Sequence, residues 1–227
     1  MAFSHSPKIV TDGLVLCLDA ADKNSYIGSG TDWNDLTSSI TGSITNATFS
    51  TDGVGSMNFD GSGDFVHLPD LNRQATDTQG TIAVWAKESL DVDGVIFQAI
   101  VTGGGADVLL MNDDGEYVAL RGDGANKVRC AWPAGGGWHH IVAGSTGSAY
   151  FIYIDGVSQS LTLSYGSNNG DWFNESSGED MTYSIGIQEP STSPYNGNIA
   201  SLQLYSKALS AKEITQNFNA QRGRFGA

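Results

Sequence analysis

Four side chains late in the sequence are of the types that recognise sugars: Trp172, Phe173, Asn174 and Tyr195. Aromatic rings pack against the apolar face of a sugar ring, while an amide exchanges hydrogen bonds with its hydroxyl groups. We therefore predict that these four residues form a glycan-binding site, if the fold brings Tyr195 beside the other three.

Two carboxylates flank the glycines of the segment FDGSGDF, at Asp60 and Asp64. Calcium prefers oxygen ligands from carboxylates and backbone carbonyls, and glycine lets a loop bend closely around such an ion. We predict that this pair is the best candidate for a calcium site. No cofactor is otherwise required by any motif in the sequence.

Motifs for hydrolysis or for a transition-metal site are missing. His139 and His140 are adjacent in a predicted strand, where neighbouring side chains point to opposite faces, so a structural role is favoured. No G-x-S-x-G segment presents a nucleophile. No strand shows two carboxylates paired on one face for glycoside cleavage. We therefore predict that the chain is not an enzyme.

The elements that position these residues are predicted to be strands. The segment from Trp138 to Gly156, WHHIVAGSTGSAYFIYIDG, alternates like two central strands, and its Asp155-Gly156 pair favours a type I′ turn. One helix is predicted after Ser210, where Glu213 completes a capping box. Many short strands and one late helix predict an all-β sandwich of two antiparallel sheets with a short C-terminal helix.

Composition limits the kinds of partner. The formal net charge of −14 argues against nucleic acid, which is bound through lysine and arginine. We find no signal peptide and no apolar run of membrane-spanning length. Cys17 and Cys130 are expected to be buried thiols. We divide the chain into an N-terminal arm (1–12), one β-sandwich domain (13–220) and a C-terminal tail (221–227).

The order of several segments carries a family resemblance. These segments are IVTDGLVLCLDAADKNSY, GTDWNDL, MNFDGSGDFVHLP, TIAVWAK, GGWHHIVAG, YFIYIDG and YNGNIASLQLYSKALSAKEITQNFNAQRGRF. Together they resemble laminin-G-like, concanavalin A-like jelly-roll domains over residues 9–225. Family members often carry G-x-I-D-D-V late in the chain, where this sequence has the uncharged run GNIASL. The glucanases of the same fold carry E-x-D-x-x-E on a catalytic strand, and this sequence has no such segment.

The two ends of the matching region are similar to the versions found in tailed bacteriophages. The resemblance implies a non-enzymatic virion structural protein, present in many copies, in a head decoration or in a tail or fibre. Its partners would be other capsid or tail proteins, its location the virion, and host surface glycans its further ligands. The alternatives are a glycan-binding adhesion module and, less favoured, a carbohydrate-active enzyme.

Both chain ends are poor in core-forming side chains. We expect residues 1–12 and 221–227 to be mobile in the isolated domain and ordered by a neighbouring subunit. Arg222 and Arg224 place positive charge on the C-terminal tail of an acidic chain. We predict that these two arginines contact acidic groups on that neighbour.

Overall fold

A computed structural model describes residues 8–71, 77–88, 93–101, 107–122, 124–133, 136–173, 181–188 and 192–227. These residues form two antiparallel sheets, which we call sheet A and sheet B, packed face to face as a concanavalin A-like sandwich. The predicted fold class is confirmed. Within these ranges, no helix combines the length and the apolar character needed to cross a membrane.

Sheet A contains eight strands among the described residues. In spatial order they are β14 (Val157–Ser158), β13 (Tyr150–Ile154), β12 (His139–Ser145), β7 (Gly80–Glu88), β17 (Asn196–Tyr205), β5 (Ser56–Asp60) and β4 (Thr48–Ser50), with β1 (Leu14–Asp19) also paired to β17. The ten-residue strand β17 pairs with β7 along one edge and with the shorter strands β1 and β5 along the other. The last strand of the chain is therefore a central strand of sheet A.

Sheet B contains nine strands within the described ranges. In spatial order they are β15 (Thr162–Tyr165), β11 (Asn126–Ala131), β10 (Tyr117–Gly122), β9 (Asp107–Asp113), β8 (Gly94–Val101), β16 (Met181–Ile185), β6 (Phe65–Leu68), β3 (Thr41–Thr45) and β2 (Asp32–Asn34). The polar sequence that follows Ala20 predicts a loop anchored by Tyr26 and Trp33, but residues 32–34 and 41–45 are strands in the structure. They form strands because Trp33 and Ile44 turn inward and are buried in the core.

Alternation of side chains along each strand builds the core between the sheets. On β7, Ile82 and Val84 point into this core, and the intervening Ala83 and Trp85 pack on the opposite face of sheet A. Leucines, isoleucines and valines that alternate in this way fill this core together with buried aromatic rings. Cys17 and Cys130 are both buried and unpaired, as expected, and burial raises the pKa of each thiol.

The Asp-Gly turn predicted from the sequence is observed, and a second Asp-Gly turn of the same kind joins another pair of strands. Asp155 and Gly156 both have positive φ, at 52° and 79°, between β13 and β14. Asp114 and Gly115, at 60° and 68°, join β9 to β10 in the same way. Of the predicted central pair, β12 lies inside sheet A, whereas β13 is separated from the edge only by the two-residue β14.

The helix α1 (Ala211–Gln221) lies on the face of sheet A that points away from the core. Ser210 accepts a hydrogen bond from the Glu213 backbone and Glu213 reaches back to Ser210, which confirms the capping box. Leu209 before the cap and Ile214 inside the helix are buried together against Ala83 and Val142. The helix is thus docked by the apolar contacts that its sequence pattern predicts.

Both described chain ends also pack on the domain. The Val10 backbone N–H donates to Asn217 Oδ1 at 2.8 Å, and Tyr205 Oη donates to the Val10 carbonyl at 3.0 Å. After α1, Phe225 stacks on Trp85 with ring centroids 4.1 Å apart. Residues 8–12 and 221–227 are therefore ordered by their own domain, because each brings one buried or stacked apolar side chain that the sequence pattern did not single out.

Replacing Phe218 with alanine is expected to lower the free energy of unfolding by about 2 kcal/mol. A fully buried phenylalanine ring would cost about 3 kcal/mol. In the structure Phe218 is only half-buried, with its ring 5.8 Å from that of Trp85. Urea unfolding measures the change, and Thr215→Ala on the exposed side of α1 is the matched control. A cost of Phe218→Ala no larger than that of Thr215→Ala would contradict the docking.

Candidate functional site

The two sheets differ in how their outer faces are covered. On sheet A, α1 and the segment 222–227 lie over Trp85, Ala83 and Val142. On sheet B, most outward side chains of β10, β11 and β15 remain partly exposed to solvent, although Ala119 on β10 is buried with Val95 and Leu109. We call this part of sheet B the open flank, defined by Tyr117, Arg121, Lys127, Arg129 and Tyr165. It is the candidate functional surface.

Strand alternation explains why these five side chains share one face. Their neighbours Val118, Leu120, Val128 and Cys130 are buried in the core between the sheets, which leaves the intervening residues pointing outward. In register, Arg121 lies opposite Lys127, and Lys127 lies opposite Tyr165. Three cations and two tyrosines therefore lie close together on three neighbouring strands.

Each tyrosine of the open flank lies against a cation. The Arg129 guanidinium carbon is 4.0 Å from the centroid of the Tyr117 ring, and Lys127 Nζ is 6.0 Å from that of Tyr165. Between them, Asp113 accepts Lys127 Nζ at 2.5 Å and Arg129 Nη1 at 3.4 Å. These pairs hold the long basic side chains in fixed positions and bring ring faces together with hydrogen-bond donors.

The composition of the open flank suits sugar recognition. Three of the chain's eleven basic residues gather here on a protein of net charge −14. An arginine offers five N–H donors in a planar fork, and the two tyrosines add hydroxyl groups that can donate or accept, so hydrogen bonds to sugar hydroxyl groups can be made. The alternation of YVALRG and NKVRCA on β10 and β11 carried this signal in the sequence, but sequence reasoning did not select these residues.

Three of the residues predicted to bind a glycan are part of the core. Trp172, Phe173 and Tyr195 are each at most 1 % exposed, and the Trp172 and Phe173 rings pack edge-on at 5.4 Å. Gly80 leaves space for the Trp172 indole, since a Cβ at that position would collide with it. Rings buried in this way offer no face to a ligand at the surface, so the structure favours a packing role. Asn174 lies outside the described residues.

The predicted calcium pair closes the turn between β5 and β6. Asp64 Oδ2 accepts the Asp60 backbone N–H at 2.9 Å, and Asp60 Oδ1 accepts the Ser62 N–H at 2.7 Å. Burial, followed by the nearby Asp60 carboxylate, raises the pKa of Asp64. Both carboxylates thus have a structural function in this turn, and calcium binding by Asp60 and Asp64 stays a prediction.

A second acidic group lies at one end of the open flank. Oxygens of Asp93, Asp113 and Asp114 lie within 4.8 Å of one another. Asp93 Oδ1 accepts the Asp114 backbone N–H at 2.6 Å, while Lys127 and Arg129 bind Asp113. Two cations therefore offset part of the charge of the three carboxylates, and Asp113 belongs to the same ion-pair network as Lys127 and Arg129.

The adjacent histidines point to opposite faces, as the strand periodicity indicates. His139 Nδ1 lies 2.8 Å from Asp155 Oδ2, and Asp155 Oδ1 accepts the His140 backbone N–H at 2.9 Å. His140 is fully buried beneath α1, with its ring 5.2 Å from Trp85 and 6.1 Å from Phe218. His139 therefore helps to hold the Asp155-Gly156 turn, and His140 packs in the interface between sheet A and α1.

The two tail arginines bind groups within their own chain. Arg224 Nη1 lies 2.7 Å from Asp19 Oδ2, and its guanidinium is 5.0 Å from the Phe225 ring. The Arg222 guanidinium lies 5.7 Å from the Phe218 ring. Both arginines thus help to dock the tail on sheet A, which gives them a function that needs no neighbouring subunit.

These features define a class of protein, an antiparallel jelly-roll domain of the lectin type with an open polar and aromatic sheet face. The family model described as the concanavalin A-like lectin/glucanases superfamily matches residues 60–215. The chain belongs to this superfamily, and the predicted laminin-G-like resemblance is confirmed. A comparison with curated protein sequences finds no significant match.

Solved structures of similar fold come from carbohydrate-active and receptor-binding proteins. Trypanosoma rangeli sialidase has a TM-score of 0.71 at 18% identity over 97% of this chain, which spans only 36% of the sialidase. Domain 4 of AbnA, a GH43 extracellular arabinanase from Geobacillus stearothermophilus solved with arabinotriose, has a TM-score of 0.65 at 17% identity and is covered over 97% of its length. The receptor-binding domain of a botulinum neurotoxin C/D mosaic serotype has a TM-score of 0.67 at 16% identity, with 93% of this chain and 52% of that chain covered.

The predicted role as a virion structural protein is wrong. The similar structures described above belong to a sialidase, an arabinanase domain and a neurotoxin receptor-binding domain, and none of them is a virion protein. The resemblance to bacteriophage versions rested on short segments at the two ends of the matching region. Those segments encode the first strand and the capped helix, which serve the fold itself and therefore do not distinguish one function from another.

Proposed function

We propose that the chain is a carbohydrate-binding domain that acts without catalysis, through the open flank of sheet B. The observation that carries this proposal is the pairing of Tyr117 with Arg129 and of Tyr165 with Lys127 around Asp113. A sugar can stack on a tyrosine ring while its hydroxyl groups bond to the neighbouring cation. The covered outer face of sheet A offers no comparable surface.

Membership of a lectin and glucanase superfamily supports a sugar ligand. The AbnA domain that this chain nearly matches in length was solved with arabinotriose, which makes an oligosaccharide a reasonable first probe. The absence of an E-x-D-x-x-E segment from the sequence supports binding rather than hydrolysis. We propose that bound sugar lies across β10, β11 and β15.

A glycan array followed by calorimetry with the best oligosaccharide tests the proposal. We expect Tyr117→Ala and Arg129→Ala each to weaken binding at least about tenfold, equivalent to about 1.4 kcal/mol, because each removes one member of the ring–cation pair. Ser43→Ala on β3 of the same sheet is the matched control and should bind normally. Circular dichroism checks that the variants are folded.

Two results would contradict the proposal. In the first, no glycan binds to the folded wild-type protein. In the second, a glycan binds and neither Tyr117→Ala nor Arg129→Ala weakens it relative to Ser43→Ala, which would place the binding site on another surface of the domain.

A further inference from the structure

One lateral side of the sandwich ends in two consecutive edge strands. β14 is the last strand of sheet A and β15 is the last strand of sheet B, and only three residues separate them in the sequence. Among the described residues, β11 is the strand paired with β15, and its other edge has no strand beside it. The backbone N–H and C=O groups along that edge are available for pairing.

Exposed apolar side chains concentrate on this side. Val157 is 63% exposed, Leu163 is 49% exposed and Tyr165 is 42% exposed. They are three of the six large apolar side chains that the described part of the chain exposes. Apolar side chains that cluster beside an unpaired strand edge are typical of a surface that is covered by a partner.

The edge of sheet B at β2 is protected against pairing with another strand, whereas the edge at β15 is not. At β2, the Asn34 backbone N–H donates to the Ser25 carbonyl at 2.8 Å, and Ser25 Oγ donates to the Asn34 carbonyl at 2.6 Å. Asp32 adds a charge on the same strand. β15 has neither a covering segment among the described residues nor a charged or proline residue of its own. Natural edge strands usually carry such protection against pairing.

The distribution of charge is compatible with a second copy of this chain as the partner. Two copies of a chain with net charge −14 repel each other over most of their surfaces. The stretch 156–170, which contains both edge strands, holds no charged residue. Two copies can therefore approach through this side without placing like charges in contact.

We propose that β15 pairs antiparallel with β15 of a second copy of this chain, in a twofold-symmetric dimer. About a twofold axis, the edge strands of two copies run antiparallel to each other. The backbone N–H groups of each copy can then donate to the C=O groups of the other. Leu163 and Val157 of the two copies add apolar contact around the four-residue strand pair. The dimer joins the two B sheets into one continuous sheet and places the two open flanks side by side.

Sedimentation velocity of the full chain at increasing protein concentration tests the dimer. We expect the wild type to shift from monomer to dimer as concentration rises, and the dimer fraction to increase with salt, because salt screens the repulsion between the two acidic copies. Leu163→Lys should remain monomeric, since it places a like charge on each side of the twofold axis. Ile27→Lys, at an exposed aliphatic residue far from this edge in sequence, is the matched control and should dimerise normally.

The outcomes separate this proposal from the proposed glycan function, because no sugar is present in the experiment. A wild type that stays monomeric at every concentration and salt level would overturn the dimer. A Leu163→Lys variant that dimerises like Ile27→Lys, with an unchanged melting curve, would also overturn it. Monomeric behaviour of both lysine variants beside a dimeric wild type would show that added charge anywhere prevents association, and would overturn the assignment to β15.

Discussion

A Trp85→Ala variant is expected to lose about 4 kcal/mol of unfolding free energy. The indole is fully buried. Its ring centroid lies 4.1 Å from that of Phe225 and 5.8 Å from that of Phe218, and both of these rings are nearly parallel to it. Its Nε1 also donates to Gln221 Oε1 at 3.1 Å. Removing the indole therefore leaves a cavity and detaches both α1 and the tail from sheet A.

Urea unfolding of Trp85→Ala and Trp85→Phe separates these contributions. Trp85→Phe keeps an apolar ring between its neighbours and should cost less than half as much, since it mainly removes the hydrogen bond to Gln221. Limited proteolysis should cut the tail of Trp85→Ala after Arg222 or Arg224 before the rest of the domain is degraded. A loss below about 1 kcal/mol for Trp85→Ala would show that the tail and helix are not anchored by this ring.

Acidification is expected to remove roughly 3 kcal/mol of stability through a single side chain, His140. Burial beneath α1 lowers the pKa of His140 to about 4, although the negative charge of Asp155 opposes the shift. Neither ring nitrogen has a hydrogen-bond partner. Protonation would place a charge between the rings of Trp85 and Phe218 with no group to accept its protons.

The direction of this effect follows from proton binding. In the unfolded chain the histidine has an ordinary pKa near 6.5, so between about pH 6.5 and about pH 4 the unfolded state binds more protons than the folded state. Stability is therefore fully present above about pH 6.5 and falls as the pH drops towards 4, by up to about 1.4 kcal/mol for each unit. The pKa of Glu213 is lowered from 4.5 to about 2, mainly by its hydrogen bond to Lys207. The stability that this carboxylate contributes is therefore lost mainly below about pH 4.5.

Urea unfolding at about pH 7 and about pH 4.5 measures the effect, with His140→Phe as the comparison. The phenylalanine keeps a ring between Trp85 and Phe218 and cannot be protonated, so its stability should change much less between the two pH values. Burial raises the pKa of Asp64, so at this residue acidification favours the folded state. This contribution to stability is the same in both proteins and cancels in the comparison. Equal pH dependence of the two proteins would show that His140 does not control acid stability.

Much of the fold could be predicted because its signals are local. The capping box at Ser210 and the Asp155-Gly156 turn depend on residues within a few positions of each other, and each was found as predicted. Strand alternation along β12 and β17 likewise fixes which side chains meet the core. The strands β2 and β3 were missed because their polar residues outnumber the inward Trp33 and Ile44.

The candidate site was harder to predict because it depends on register between distant segments. Trp172 is buried since Gly80, ninety-two positions earlier, leaves room for its indole. Tyr117 and Arg129 meet because β10 pairs with β11, and no local pattern fixes that alignment. Aromatic residues suited to sugar binding and aromatic residues suited to core packing are the same residue types, so composition alone could not tell Tyr165 from Tyr195.

The hydrogen bonds between the chain ends have a consequence for how the domain can be joined to other proteins. Lys8 O accepts Gln216 Nε2 at 2.8 Å, so the incoming chain lies beside the middle of α1. From Gln216 to the end of α1 the helix advances only about 8 Å. A few residues could therefore close the chain into a circle, and the circular permutant could be opened at the exposed Asp114-Gly115 turn. For the same reason the whole domain could be inserted into a surface loop of a host protein without separating the two ends of that loop.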